Sequence, residues 1–194
     1  MSATILLSVM AASLAIPQSS SSFDGAALAM RDSDGVAVVR LFVAPDRTVE
    51  DCKMLSREVS QADSERVCGK LVGRRAAAPA FGPDGQAAYG TLTYVVAEVG
   101  NLRKTGIEGN LPADMVLDVK SLPGGLKSKA IGLNLLLDPE GKVSHCEASD
   151  GAGEGFSHAA CAALANEVLE VRKDPAGNPV AYVDRMTVAF VSKS

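Results

Sequence analysis

The chain has 194 residues, of which 47 % are hydrophobic but only 4 % aromatic, and its formal net charge at pH 7 is −4. This length fits one ordinary domain or two small ones, whose cores must be built from Val, Leu, Ile and Ala. Basic residues are scattered among acidic ones, without the positive stripe that nucleic-acid-binding proteins carry. We therefore exclude nucleic acid as a partner.

The N-terminal region predicts an exported protein. Residues 3–16 form an apolar run of signal-peptide length, and residues 13–15 supply the small side chains that a signal peptidase needs. We predict a signal peptide over residues 1–20 and an unstructured, serine-rich tether over residues 21–33. Because the first basic residue is Arg31, a buried N-terminal helix and a short uncleaved anchor are alternatives. No other stretch of the sequence is apolar enough to cross a bilayer.

The first predicted unit, residues 34–98, has the element order β-β-α-β. A β-rich run over residues 36–43 ends at the turn Pro45-Asp46, and a second strand follows over residues 48–55. A helix is predicted over residues 61–77, and a last strand over residues 89–96. The apolar residues at helical spacing are Val67, Leu71 and Val72.

A Gly-, Asn- and Pro-rich linker over residues 99–114 precedes the second predicted unit, residues 115–194. This unit begins with a short entry strand at residues 115–119, continues with strands over residues 130–137 and through Cys146, and closes with a strand over residues 182–191. Its helix is indicated by an apolar face at a period of 3.6 residues. That face consists of Cys161, Leu164, Ala165 and Val168.

The two units repeat one pattern. Three residue types recur at a single offset, because 139 − 45 = 143 − 49 = 146 − 52 = 94. The recurring residues are Pro45 and Pro139, Val49 and Val143, and Cys52 and Cys146. We therefore predict an α+β fold of two tandem β-β-α-β units, each a small antiparallel sheet with one helix packed on it.

The four cysteines fit one disulfide per unit. Sequence alone permits three pairings, and the repeat favours Cys52 with Cys68 and Cys146 with Cys161, because both loops are then short (68 − 52 = 16 and 161 − 146 = 15). Closing a loop of this length stabilises a fold by about 3 kcal/mol in the chain-entropy model. Stable disulfides also indicate an oxidising compartment.

A metal site is the alternative use of part of this set. His145, Cys146, His158 and Cys161 lie close in sequence and are zinc-binding residue types. However, adjacent residues on a strand point to opposite faces. The first unit keeps both cysteines but has Asp51 and Glu65 in place of the histidines. We therefore predict structural disulfides and no bound metal or cofactor.

The sequence also lacks the patterns of common catalytic sites. No Gly-x-Ser-x-Gly elbow is present. A thiol nucleophile needs a free cysteine, and the predicted pairing uses all four. Residues 151–155 are rich in glycine but lack the spacing of a phosphate-binding loop. We expect that the protein is not an enzyme.

The order of turns and strands resembles the C-terminal domain of the TonB family of energy transducers, in two divergent tandem copies with one cysteine pair each. The matching segments are residues 44–49, 74–80 and 84–85 in the first copy, and residues 138–143 and 177–180 in the second. The resemblance implies a periplasmic envelope protein, retained at the membrane if its N-terminal segment is uncleaved. It also implies recognition of a protein or peptide partner, such as a segment of an outer-membrane receptor, and a link to TonB-dependent transport.

An exposed sheet edge is a template for an added strand. We expect the peptide-binding edges on the last strand of each unit. The candidate residues are Thr91, Thr93 and Val95 in the first unit and Met186, Val188 and Phe190 in the second. Alternatively, these two strands pair with each other or are covered, and the protein is a structural or accessory envelope protein without a peptide site.

Overall fold

A computed structural model describes residues 37–55, 61–96, 113–149 and 153–193. The predicted signal peptide and tether lie outside these residues, as does the linker except for its last two residues. The described residues form eight strands, two α-helices and a short 3-10 turn. In chain order these are β1 Ala37–Val43, β2 Val49–Met54, α1 Gln61–Leu71, β3 Ala80–Phe81, β4 Ala87–Val96, β5 Met115–Val119, the turn Pro123–Gly125, β6 Ser128–Leu137, β7 Val143–Ala148, α2 Glu154–Leu164 and β8 Tyr182–Ser192.

The strands form a single mixed sheet, and the fold is α+β. Its main strand order is β2-β1-β4-β8-β6-β7, with β3 beside β4 and β5 beside β8. The prediction of two separate antiparallel sheets is therefore wrong. Strands β4 and β8 pair in parallel, at Tyr89 with Tyr182 and at Gly90 with Val183, and this pairing joins the two halves of the chain.

The hairpins β1–β2 and β6–β7 have the same register. Leu41 pairs with Cys52 in the first hairpin, and Leu135 pairs with Cys146 in the second. Both ladders contain an irregularity directly before the turn, at residues 42–43 and at residues 136–137. These positions differ by the 94 residues that separate the sequence motifs.

The two helices lie on opposite faces of the sheet. Leu41 packs in a cluster with Val67 and Leu71 of α1. Phe42, the next residue of β1, belongs instead to the cluster of Leu164 from α2 and Tyr182 from β8. Successive side chains of a strand point to opposite faces. Each helix therefore covers the sheet of its own half and leaves the other face of that half open.

Each half covers the open face of the other. Arg172, from the segment between α2 and β8, is buried over the Phe42 ring, with 5.4 Å between its guanidinium carbon and the ring centroid. Its Nη1 donates a 2.8 Å hydrogen bond to the carboxylate of Asp51. In the opposite direction, Phe81 and Pro83 border a narrow crevice on the sheet of the second half. This crossed packing, which we call the clasp, holds the two halves together.

Both helices are shorter than their sequence patterns predict. Helix α1 ends at Leu71 because Gly73 follows it with φ of 78°, a left-handed conformation that ends helices. Val72 is consequently exposed rather than buried. Helix α2 ends at Leu164, and Val168 lies beyond it in an extended bridge to Lys142 with 64 % of its surface exposed. Neither of these helices is long and apolar enough to cross a bilayer.

Candidate functional site

Both predicted disulfides are confirmed. Cys52 is bonded to Cys68 with 5.3 Å between Cα atoms, and Cys146 is bonded to Cys161 with 5.8 Å. Each bond joins the second strand of a hairpin to the helix that follows it. Short loops of this kind contribute about 3 kcal/mol each, which is substantial for halves that contain so few aromatic residues.

The two histidines do not converge with the cysteines. His145 lies on the face of β7 opposite to Cys146, and its Nε2 is 3.6 Å from the carboxylate of Glu147. His158 is exposed on α2. In the described part of the chain, no three His, Cys, Asp or Glu residues are grouped so that they could hold a metal ion.

The predicted edge in the second half is wrong. Met186, Val188 and Phe190 lie in β8, which pairs with β6 along one side and with β5 along the other. All three side chains are buried in the core beside α2. The strand is interior because β5, the predicted entry strand of the second unit, adds to it in parallel.

The predicted edge in the first half is also not an end of the sheet. Thr91, Thr93 and Val95 lie in β4, which pairs with β1 along most of its length and with β8 at Tyr89 and Gly90. The hydroxyl of Thr91 is buried and donates a hydrogen bond to Asp184 of β8. The two last strands thus pair with each other, as the alternative interpretation of the sequence expected.

The main path of the described sheet ends at β2 and β7, and the side strands β3 and β5 each pair with one strand only. In β7, the following residue Ser149 donates its backbone N–H to the Gly132 carbonyl of β6 at 2.9 Å. Hydrogen-bonded and non-hydrogen-bonded pairs alternate along an antiparallel ladder. The backbone groups of Cys146 and Ala148 therefore point away from β6, towards the open edge.

The same alternation applies to β2. Leu55 donates its backbone N–H to the Val38 carbonyl at 2.7 Å, so Cys52 and Met54 direct their backbone groups outward. A sequence signal for these edges was present. From Asp51 and from His145 onward, the second strand of each hairpin alternates polar or charged residues with apolar ones, and charged side chains are one of the ways in which natural edge strands are protected. Asp51 and Lys53 in β2 correspond to His145 and Glu147 in β7.

The two edges differ in their surroundings. The β2 edge carries Glu50, Asp51 and Lys53, and the Asp51 carboxylate is engaged by Arg172 in the clasp. The β7 edge instead borders a groove of about 610 Å³ that separates it from the first turns of α2. The groove is lined by Cys146, Glu147, Ala148, Gly153, Glu154, Ser157, His158 and Cys161.

A buried polar network connects the halves near the middle of the sheet. Asp184 accepts hydrogen bonds from the Thr91 hydroxyl and from the backbone N–H of Arg185, and burial raises the pKa of its carboxyl above the ordinary value of 3.8. Nearby, Arg40 of β1 forms a 2.6 Å ion pair with Asp114, just before β5. These groups link β1, β4, β5 and β8.

The group of this region whose pKa departs most from its ordinary value is the hydroxyl of Tyr182. Burial, followed by the proximity of Asp184, raises its pKa to about 12. The hydroxyl donates a 2.5 Å hydrogen bond to the backbone carbonyl of Glu170. It therefore stays protonated at neutral pH and anchors the clasp segment to β8.

Comparison of the chain with models of known protein families, with curated proteins and with solved structures gives no match. We therefore infer function from the chain's own geometry. Within the described residues, the feature best suited to a partner is the edge of β7, where outward-facing backbone groups and a groove lie side by side.

Proposed function

We propose that this is an exported periplasmic protein of the bacterial envelope that recognises an extended segment of a protein partner. The segment adds to β7 as a further strand. The observation that carries this proposal is the position of β7. It ends the described sheet, and the outward backbone groups of Cys146 and Ala148 lie beside the groove in front of α2.

We further propose that the chain consists of two tandem TonB C-terminal-like units. The equivalent register of the two hairpins supports this, as does the equivalent placement of the two disulfides. Membership of that family would connect the recognised partner with TonB-dependent transport, for example a segment of an outer-membrane receptor.

The disulfides also support the proposed compartment. Disulfides persist in oxidising environments such as the periplasm and are rare in the cytosol. Together with the apolar run over residues 3–16, they favour an exported protein.

Strand β7 is a better template than β2 for electrostatic and geometric reasons. Charged side chains on an edge strand oppose the addition of another strand, and β2 carries three of them in six residues. Asp51 is in addition held by Arg172, so a strand added to β2 would lie against the clasp. No comparable contact from the other half engages the edge-side backbone of Cys146 or Ala148 among the described hydrogen bonds.

Backbone pairing alone would give weak binding. Each hydrogen bond contributes about 0.5–1.5 kcal/mol net, and association opposes this with a loss of translational and rotational freedom. The outward groups of Cys146 and Ala148 offer a few such bonds. Side-chain contacts in the groove are therefore required for useful affinity, which makes the groove part of the site.

A proline substitution tests the proposal. Ala148→Pro removes the outward N–H of β7 without removing a hydrogen bond to β6, since Ala148 is not a donor to that strand. Met54→Pro is the matched control because 148 − 54 = 94. We expect peptides from receptor N-terminal segments to shift the amide signals of Cys146 and Ala148 in the unsubstituted protein and in Met54→Pro. The same peptides should leave Ala148→Pro unchanged.

The proposal fails if, at about 1 mM peptide, no amide signal of β7 moves in the unsubstituted protein. That result would favour a structural or accessory envelope protein held together by its disulfides and its clasp. Equal binding to all three proteins would place the site elsewhere. Circular dichroism and a count of free thiols would verify that both variants are folded and oxidised.

A further inference from the structure

The groove beside β7 has a floor of small side chains. On the face that α2 covers, it is bounded by Ala148, Gly153, Ser157 and the Cys146–Cys161 disulfide. None of these residues extends far from the backbone, which explains how a groove of about 610 Å³ lies between a strand and its helix. A strand added to β7 would direct every second side chain over this floor. The floor therefore has room for a long side chain of the partner.

The wall of the groove at the start of α2 carries a carboxylate. Glu154 is the first residue of α2, is exposed, and forms no ion pair with another described residue. Among the described residues that line the groove there is no Lys or Arg. The lining contains a second carboxylate, that of Glu147. Its side chain points to the other face of β7, because the flanking residues Cys146 and Ala148 face α2 and successive side chains of a strand alternate. Glu147 is also 3.6 Å from His145 on that other face.

From this arrangement we propose that the groove selects an extended segment with Lys or Arg at the position that faces α2. The inference rests on the proposed strand addition and names the chemistry of the partner. The aliphatic stem of such a residue would cover Ala148 and the disulfide, and its cationic end would reach Glu154. Long basic side chains combine an apolar stem with a charged tip in this way. A carboxylate also interacts favourably with the start of a helix, so Glu154 adds charge to the groove at little expense of helix stability.

Peptides that differ at one residue provide the test. Each peptide has six residues to match β7, a β-prone Thr- and Val-rich sequence, and one variable position occupied by Arg, norleucine or Glu. They are titrated into the full oxidised chain, and binding is followed by the amide signals of Cys146 and Ala148. We expect the Arg peptide to bind about fivefold more tightly than the norleucine peptide and more than about tenfold more tightly than the Glu peptide.

Substitutions in the protein localise the charge. Glu154→Gln should reduce the preference for Arg over norleucine to less than about twofold, and Glu154→Lys should reverse the preference so that the Glu peptide binds best. Glu147→Gln removes a charge from the opposite face of the edge strand and should retain the preference for Arg. Glu167→Gln is the matched control, because it removes the same charge from an exposed position just after α2, outside the lining of the groove.

The possible outcomes separate this inference from the proposed function. Equal amide shifts at β7 with all three peptides would overturn the charge selection and leave strand addition intact. Absence of shifts with every peptide would overturn both. Loss of the preference in Glu147→Gln but not in Glu154→Gln would contradict the assignment of Glu154 and move the cation to the other face of the edge.

Discussion

The first half of the chain, β1 to β4 with α1, and the second half, β6 to β8 with α2, form the same hairpin but different edges. Both hairpins have the same register, the same irregularity before the turn and a disulfide from the second strand to the helix. Their terminal strands differ in charge and surroundings. Strand β2 is charged and contacted by Arg172, whereas β7 borders an open groove.

This difference separates what the fold requires from what a partner could use. Features present in both halves hold each helix on its hairpin. Features present in only one half are candidates for function, and the groove beside β7 is the most prominent of them. The clasp is a further difference. The second half contributes the buried Arg172 to it, whereas the first half contributes Phe81 and Pro83.

The largest expected effect tests whether the two halves are energetically equivalent. Leu41 and Leu135 are 94 residues apart, and their exposed fractions are 0 % and 1 %. Truncation of a buried leucine to alanine leaves a cavity and costs about 2–5 kcal/mol. We expect Leu41→Ala and Leu135→Ala to lower the free energy of unfolding by about 3 kcal/mol each, as measured by urea denaturation.

A single unfolding transition is expected in both variants, because Phe42 of the first half is part of the core of the second. Val116→Ala, at an exposed position of β5, is the control and should change the free energy of unfolding by less than about 0.5 kcal/mol. Two separate transitions would show that the halves fold independently and that the clasp contributes little.

A smaller effect is expected at the clasp, where packing and charge can be separated. The two carboxylates that pair with Arg172 are more than half exposed, at 56 % for Asp51 and 59 % for Glu170. They can therefore be rehydrated when the arginine is removed. Arg172→Ala loses the contact with the Phe42 ring and should cost about 2 kcal/mol. Arg172→Met keeps an apolar stem there and should cost less than about 1 kcal/mol.

Thermal and urea unfolding of the two Arg172 variants would measure these differences. Lys173→Ala is a suitable control. The Lys173 side chain is next to Arg172 in the chain and is exposed, and the substitution removes one positive charge from the same segment. Equal losses for Arg172→Ala and Arg172→Met would indicate that the ion pairs, rather than packing on Phe42, stabilise the clasp.

The smallest expected effect concerns pH. Burial raises the pKa of Asp184 above 3.8 in the folded protein. The favourable contribution of its protonated form is fully present below that value and is lost as the pH rises through the folded pKa. Asp184→Asn should therefore be more stable than the unsubstituted protein at neutral pH, and this advantage should shrink as the pH falls towards 3.8.

Urea denaturation of both proteins between neutral pH and about pH 4 would test this sign. The charged groups that influence Asp184, Arg40 and Asp114, are unchanged in the comparison, so the difference between the two curves isolates the aspartate. An advantage of Asp184→Asn that grows on acidification would mean that the electrostatic attraction of Arg40 outweighs the burial of the carboxylate.

Local elements were predictable to within a few residues. The alternation of Leu133, Leu135 and Leu137 specifies one buried face of β6, and all three are buried. The turns before β2 and β7 and the two disulfides were also predicted. Helix ends were less predictable, because Gly73 ends α1 through its backbone conformation and Val168 leaves α2 to form a bridge. The apolar spacing of these segments continues past both ends.

The sequence placed the candidate peptide-binding edges on β4 and β8, which are interior strands of the main sheet. Edge strands were expected at Met186–Phe190 because that segment closes the second unit, but an interior strand has the same apolar composition. Only the pairing of β5 with β8 shows that no edge is free there. The charged alternation of Asp51 and Lys53 was the local signal that could have identified a terminal strand.

The sequence by itself determined the class of the fold, the repeat, and most of its strands and turns, and through the repeat it favoured the pairing of Cys52 with Cys68 and Cys146 with Cys161. These features depend on side chains close in the chain or related by the repeat. Tertiary structure alone decided that the halves share one sheet and that β2 and β7 end it. Those outcomes depend on the parallel contact of Tyr89 with Tyr182 and on the clasp of Arg172 over Phe42. Contacts between residues so distant in sequence leave no periodic signal, so the groove of β7 became visible only once the sheet was assembled.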